Sequence, residues 1–383
     1  MDFALTDEQL AVSEAAHGIF NGLVDPDRVH AVEQTEDRVD RELWRALGDA
    51  DLLGLAVPER QGGAGFGLTE LGLLLQAQGA VVAPVPLWAT LVLGALPIAA
   101  FGTEAQQARW LPGVVAGETV LSAALTGTAA SPSSTPPVAA SAVRDGGWAL
   151  NGTELAVPQA HVAARVVVPA HTAEGGMLLA LVDPAASGVR LERTVTTNRE
   201  IHPHLHVSDV TVGPDDVLAG PGSEGRAALR STLLAATIAL CALQVGVCEA
   251  ALRQTAAYLN GRQQFGRPLS TFQSTLLRAA DAAIDIEAMR VTWQNAAWRF
   301  DTGRDASDAA RVAKWQASER GQRAVHATQH LHGGIGADVK YPIHRYFLWG
   351  KQLELLLGGP SAQLSHLGRR IAERAKVAAR LAS

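Results

Sequence analysis

Apolar residues recur at three- and four-residue intervals from Leu10 to about Ala116, the spacing of helices that bury one face. Thr6 or Asp7 supplies a cap, and breaks fall at Val57-Pro58, at the Gly62–Gly67 loop and at Pro84–Pro86. The texture changes between about Thr119 and Val217. Short β-branched runs, Ala164-Arg165-Val166-Val167-Val168 and Val207-Ser208-Asp209-Val210-Thr211-Val212 among them, alternate there with Gly, Pro and Asp turns. Thr126 to Pro137 is so rich in Ala, Ser, Thr and Pro that an irregular loop is expected. After Gly222 the helical period returns and runs to Ser383, including an uncharged helix around Leu233–Val247. The pattern predicts three domains: all-α over 1–118, β over 119–222 and all-α over 223–383.

The 383 residues are 48% hydrophobic and 18% charged, ample for buried cores and too sparsely charged to stay unfolded. With 32 Lys+Arg against 38 Asp+Glu the net charge is −6, which disfavours nucleic acid or an anionic membrane as a main partner. Leu71–Thr103 and Ser231–Cys248 carry no formal charge, but prolines break the first and alanine, Thr232, Thr237 and Gln244 dilute the second. Buried helices, not membrane spans, are expected. Cys241 and Cys248, seven apart on one apolar face, supply neither a disulfide framework nor a metal set and read as core residues in a reducing compartment. Met1 to Gln9 lacks a basic, apolar leader, so a cytoplasmic location is expected.

Four segments could carry chemistry. Gly62-Gly63-Ala64-Gly65-Phe66-Gly67 lacks the spacing of a dinucleotide fingerprint and the Lys-Ser/Thr of a P-loop, so it reads as a structural turn. His202, His204 and His206 alternate and would share one face of a strand, yet no Cys, Asp or Glu completes a metal set, and no metal is expected. Arg262-Gln263-Gln264-Phe265-Gly266-Arg267-Pro268 ends a helical stretch, and Phe272-Gln273 opens the next. A guanidinium beside an aromatic and a glycine could clamp a pyrophosphate, and a solvated arginine turn fits equally well. His330-Leu331-His332-Gly333-Gly334-Ile335-Gly336 offers backbone amides to a ligand, or simply a helix C-cap.

Together these segments resemble the acyl-CoA dehydrogenase family, and the resemblance extends over essentially the whole chain. Phe3-x-Leu5-Thr6-x-Glu8-Gln9 is similar to the family's first helix. Leu52 to Glu59 with Gly62-Gly63-x-Gly65, and Phe101-Gly102-Thr103-Glu104 through Trp110-Leu111-Pro112 to Gly117-Glu118, follow in the family's order. The resemblance implies an N-terminal helical domain, a middle β-barrel or sandwich and a C-terminal four-helix bundle. It also implies an FAD-dependent reaction: a carboxylate takes the α-proton of an acyl-CoA thioester while the β-hydride passes to the flavin. That α-proton is weakly acidic, so a base must stand within hydrogen-bond reach.

The two positions where the family places that base hold Leu357, followed by Gly358, and Ala236, 26 residues before Arg262. Neither side chain accepts a proton. Glu354, three residues before Leu357, is the nearest substitute, and Glu249 lies too far along its helix. Of the family's cofactor-wrapping Thr-Glu-Pro-x-x-Gly-Ser-Asp segment only Thr126 survives. Ala156 and Pro158 stand where the family has a flavin-covering tryptophan and a threonine near flavin N5. By contrast Arg262, Phe265, Gln273, Gly333 and Gly334, with His330 in place of a common glutamine, match the residues that reach the flavin of a neighbouring subunit. The resemblance is nearest to the α2β2 enzymes of actinobacterial steroid side-chain degradation. It implies a subunit without a base of its own, sharing FAD with a base-carrying partner that holds the acyl-CoA. Electron-transfer flavoprotein is then the expected acceptor. A self-sufficient homotetramer using Glu354 and a flavin-free scaffold on the same fold are the alternatives.

Overall fold

The computed structural model describes residues 3–129 and 135–382. The order is helices, sheet, helices. The N-terminal domain holds α1 (Asp7–Leu23), α2 (Pro26–Glu33), α3 (Arg41–Asp49) and α4 (Leu68–Val81). A π-helical segment Trp88–Ala95 continues into α5 (Leu96–Phe101), and α6 (Glu104–Val115) follows. Thr6 is the first N-cap: its hydroxyl accepts from the Gln9 amide at 3.2 Å while the Gln9 side chain returns to the Thr6 amide. The Gly62–Gly67 segment is a turn, as its composition suggests. Gly62 and Gly65 have φ of 86° and 67°, and a Cβ on Gly63 would lie 2.1 Å from the Val57 carbonyl.

The middle domain contains β1 (Leu121–Ala123), one helical turn α7 (Thr126–Ala129), β2 (Val138–Ala142), β3 (Trp148–Glu154), β4 (Arg165–Thr172), β5 (Met177–Val182), β6 (Val189–Glu192), β7 (His204–Val212) and β8 (Val217–Ala219). The strand order is β6-β7-β3-β2-β4-β5-β8, and β1 and β2 both run parallel to β4, at its start and its end. β4 and β5 read as continuous apolar runs because both faces are covered. Val167, Leu179 and Leu181 face the helices, and Val166, Val168, Ala180 and Val182 fill the sheet's own core. The irregular stretch expected at Thr126–Pro137 opens instead with α7, and 130–134 lie outside the described residues.

The C-terminal domain comprises α8 (Ser223–Gly261), a two-stranded hairpin (Gln263–Gln264 with Arg267–Pro268), α9 (Gln273–Asp301), α10 (Ser307–His332), α11 (Ile343–Leu355) and α12 (Pro360–Ala382). α8 is long and apolar enough to cross a bilayer, yet 78% of its most apolar window is buried inside the protein. It is buried on nearly all sides because it is the shared centre of both helical domains. Small residues permit this. A Cβ on Gly246 would lie 1.9 Å from the Gln76 carbonyl of α4, and one on Gly79 2.4 Å from the Leu243 carbonyl. Cys241 and Cys248 are free thiols inside this core, and burial pushes the Cys241 thiol up to about 12.

Polar locks hold the domains in register. Asp301, ending α9, caps α4 by accepting from the Leu68 and Thr69 amides at 2.7 and 3.0 Å. Buried Glu33 of α2 takes a two-pronged contact from buried Arg345 of α11, at 3.1 and 3.2 Å, and a third from Arg199 of the middle domain at 2.8 Å. Lys314, 1% exposed, donates to Ser318 Oγ and to the Leu353 and Glu354 carbonyls at 2.8, 2.9 and 3.1 Å, closing the C-terminus of α11. Burial pulls its ammonium down to about 8, against attraction from Cys241 and Glu354.

Gly246→Ala drives a methyl into the α4 backbone and should cost at least about 3 kcal/mol in urea unfolding. Gly18→Ala, on the open face of α1, should be neutral or gain up to about 1 kcal/mol. Because Lys314 titrates near 8 when folded and at 10.5 when unfolded, the unfolded chain binds more protons between those values. Its contribution to stability should therefore rise with pH across that window. Lys314→Met should remove that part of the slope, read from paired unfolding curves at both ends of the window.

Candidate active site

The residues singled out in the sequence fall into two separate regions. The first is a cleft where the middle domain meets both helical domains. Gln159, Asn198, Glu200 and His202 enter it from the sheet side, Trp88 and Leu240 from the helices beneath, and Trp349, Gln352, Leu353 and Leu356 from α11. The four unusual positions are chain neighbours of its lining: Gln159 follows Pro158 and lies three residues past Ala156, Leu356 precedes Leu357, and Leu240 lies one turn past Ala236.

The cleft is narrow. Its cavity measures about 20 Å³, room for roughly one water, where small-molecule pockets run to roughly 300–1,000 Å³. The Trp88 indole N–H donates to the Ala236 carbonyl at 3.2 Å, and Ala236 is fully buried. Leu357 is buried too, but it is not helical. α11 stops at Leu355, and Leu357 and Gly358 take φ of 58° and 95° in a turn whose carbonyls accept from Gln363 Nε2 at 3.0 and 3.2 Å. The helical projection relating Glu354 to Leu357 therefore fails. Glu354 stays on α11 with its carboxylate 2.5 Å from Lys351 Nζ, and it is not among the cleft residues.

The opposite wall is built from groups that bond to one another. Thr126 donates to the Ala156 carbonyl at 3.2 Å, the Ala156 amide donates to His204 Nδ1 at 3.0 Å, and Ser122 donates to the Pro158 carbonyl at 2.5 Å. Ala156 itself sits at φ 50°, and Pro158 has no N–H. These groups satisfy one another, so the residues here do not fit a flavin.

The histidine trio does not share a face as the alternation suggests. β7 begins at His204, and His202 precedes it, buried in the cleft 3.3 Å from Glu200. His206 bonds Thr153 and Glu192. No group of three metal-binding side chains occurs among the described residues.

The second region is the exposed end of the C-terminal domain. Arg262 is the C-cap of α8. Phe265 and Gly266, at φ 54° and 78°, form the tip of the two-stranded hairpin, the positive-φ pair of a tight β-turn. Phe265 is 91% exposed, and its ring lies 6.1 Å from Phe272, on which Arg267 stacks at 4.0 Å. Gln273 starts α9, also exposed. His330 is exposed on the last turn of α10, and Gly333 closes that helix at φ 63°, ψ −143°, a conformation for glycine alone. A Cβ on Gly333 or Gly334 would touch nothing within 4 Å. The two pieces meet through Tyr258, one turn before Arg262, which stacks on His332, next to Gly333, at 4.6 Å.

Here a cationic fork, an uncovered aromatic and open backbone lie together without internal use, and they fit a phosphate-bearing, flat-ringed ligand held from outside. Sequence reasoning missed the cleft-filling Trp88, Gln159 and Gln352, and the Tyr258–His332 link. Their partners are distant in the chain, and no local pattern announces them.

Comparison with known proteins shows the family of the chain. The profile of the acyl-CoA dehydrogenase N-terminal domain matches residues 6–118, and that of the acyl-CoA dehydrogenase C-terminal domain matches 223–372. The chain is 36% identical to acyl-CoA dehydrogenase FadE27 of Mycobacterium tuberculosis, over 97% of this chain and 99% of that one. Among solved structures, a variant of the Tcur3481-Tcur3483 steroid ACAD is 47% identical with a TM-score of 0.89, and the ChsE4-ChsE5 complex from Mycobacterium tuberculosis is 34% identical with a TM-score of 0.90. Each match covers 97% of this chain and 99% of the other. The chain belongs to the acyl-CoA dehydrogenase family.

Proposed function

We propose that this chain is a subunit of a heteromeric FAD-dependent acyl-CoA dehydrogenase, probing no substrate in its own cleft and completing the cofactor site of an unlike partner. The observation that carries the reading is the narrowness of the cleft. A cavity of about 20 Å³ admits neither a thioester nor a flavin ring, and the two positions for a base hold buried Leu357 and Ala236.

The bound FAD would accept the β-hydride while the partner's carboxylate takes the α-proton. This chain's own residues bind and orient. Arg262 holds the pyrophosphate by a charge-assisted fork, Phe265 packs on the cofactor, and Gln273 contacts its adenosine side. His330 flanks the Gly333-Gly334 backbone, which approaches closely because no side chain intervenes. Exposed apolar residues support an assembly. Leu277, Ile284 and Val291 of α9 are spaced seven apart and stand 57%, 64% and 39% exposed, a continuous stripe that a partner would cover. The two-component proteins among the similar structures, one of them a steroid ACAD, support a partner subunit of the same family; the proposed form is α2β2 and the proposed substrate class steroid side-chain CoA thioesters. Electron-transfer flavoprotein is the proposed acceptor, and the cytoplasm the proposed location.

The alternative, a self-sufficient enzyme using Glu354, is disfavoured by that residue's contact with Lys351 and its place outside the cleft. Under the proposal the isolated chain is colourless and shows no dye-linked turnover. Turnover by the single chain that Glu354→Gln abolishes would establish the alternative. In the complex, Arg262→Ala should weaken FAD retention by roughly 1.5–3 kcal/mol, measured by flavin absorbance after gel filtration. No change would favour a flavin-free scaffold.

A further inference from the structure

Building on the reading above, we infer that His332 is a positioning residue: a buried spacer that fixes the Arg262 hairpin and the Gly333-Gly334 turn at the separation the shared cofactor requires. The two elements come from the ends of different helices, and the hairpin tip and Gly333-Gly334 are both exposed. Phe265 is 91% exposed, and nothing lies within 4 Å of a Cβ placed on Gly333 or Gly334. What joins them is a cluster of three rings. His332, 3% exposed, stacks on Tyr258 of α8 with centroids 4.6 Å apart and planes 23° from parallel. Tyr341, ahead of α11, completes a triangle of rings, 5.4 Å from His332 and 6.4 Å from Tyr258, to which it stands edge-on.

Each ring is tied to one binding element by the backbone. The Arg262 amide donates to the Tyr258 carbonyl at 2.8 Å, so a displacement of Tyr258 moves the arginine and the hairpin behind it. His332 immediately precedes Gly333. Its own orientation is fixed by Nδ1, 2.8 Å from the Thr328 carbonyl; a carbonyl only accepts, so Nδ1 carries the proton. Gln329 donates to the Gly336 carbonyl, and a Cβ on Gly336 would lie 2.7 Å from the Gln329 carbonyl, which folds the glycine turn back against α10. The imidazole thus meets two requirements together: a flat face for Tyr258 and an N–H for the last turn of α10.

The test separates these two features in the copurified complex, with FAD retention as the readout and Arg262→Ala as the reference. His332→Phe keeps a flat ring and loses the N–H, whereas His332→Asn keeps an N–H and loses the ring. The spacer role predicts that His332→Asn and Tyr258→Leu weaken FAD retention roughly tenfold, the size of a lost aromatic pair or two, while His332→Phe stays near wild type. Val325→Ala, a cavity in the core two turns before His332 on α10, where Val325 faces Gly350 of α11, controls for general loss of stability and should leave retention unchanged. Equal loss in His332→Phe and His332→Asn overturns the inference, as does a loss in Val325→Ala matching that in His332→Asn. If Arg262→Ala also leaves FAD untouched, the shared-site reading itself fails, and the inference with it. If Arg262→Ala weakens retention and His332→Asn does not, only the spacer role falls.

Discussion

The Trp88 indole N–H reaches across to the Ala236 carbonyl at 3.2 Å, and the character of the cleft follows from that contact. A carbonyl inside a helix already accepts from the amide four residues on, so a second donor means a side chain pressed against the backbone. Ala236 allows the approach because its side chain is a methyl group, and Ala235 and Ala239 are equally small. Trp88 opens a π-helical stretch, a wider winding that sets it apart from the α-helices around it. From the other side, Leu356 and the left-handed Leu357 turn bring apolar bulk where a carboxylate would need access to a thioester. Lys314 holds that turn by capping α11 from within the core.

The opposite end of the molecule has the reverse character. Phe265 adopts a positive φ at a hairpin tip and gains little buried surface from its own chain. Gly333 holds a backbone geometry open to glycine alone, beside empty space. Exposed apolar area and strained backbone both cost free energy. An assembly in which another molecule covers this edge accounts for both.

The helix–sheet–helix order was legible because period and turn chemistry are local. Thr6, one of two candidate caps, proved to be the N-cap of α1, and the bare stretch of α8 followed from composition. The substitutions at Ala236 and Leu357 were visible as residues. What filled the cleft was not, since Trp88 lies 148 residues from Ala236 in the chain. The Glu354 projection failed because α11 ends two residues before Leu357, and a leucine in the left-handed region gives no sign in sequence. Likewise, alternation of His202, His204 and His206 suggested one face, but the strand starts only at His204. Tyr258, His332 and Tyr341 come from three segments, and only the packed fold brings their rings together.

The flavin content of the purified hetero-complex tests the central claim most directly. Absorbance of the released cofactor, set against the amount of each chain, should give one FAD for every pair of unlike subunits. Two FAD per pair, with density for a flavin against Ala156 and Pro158, would contradict the account.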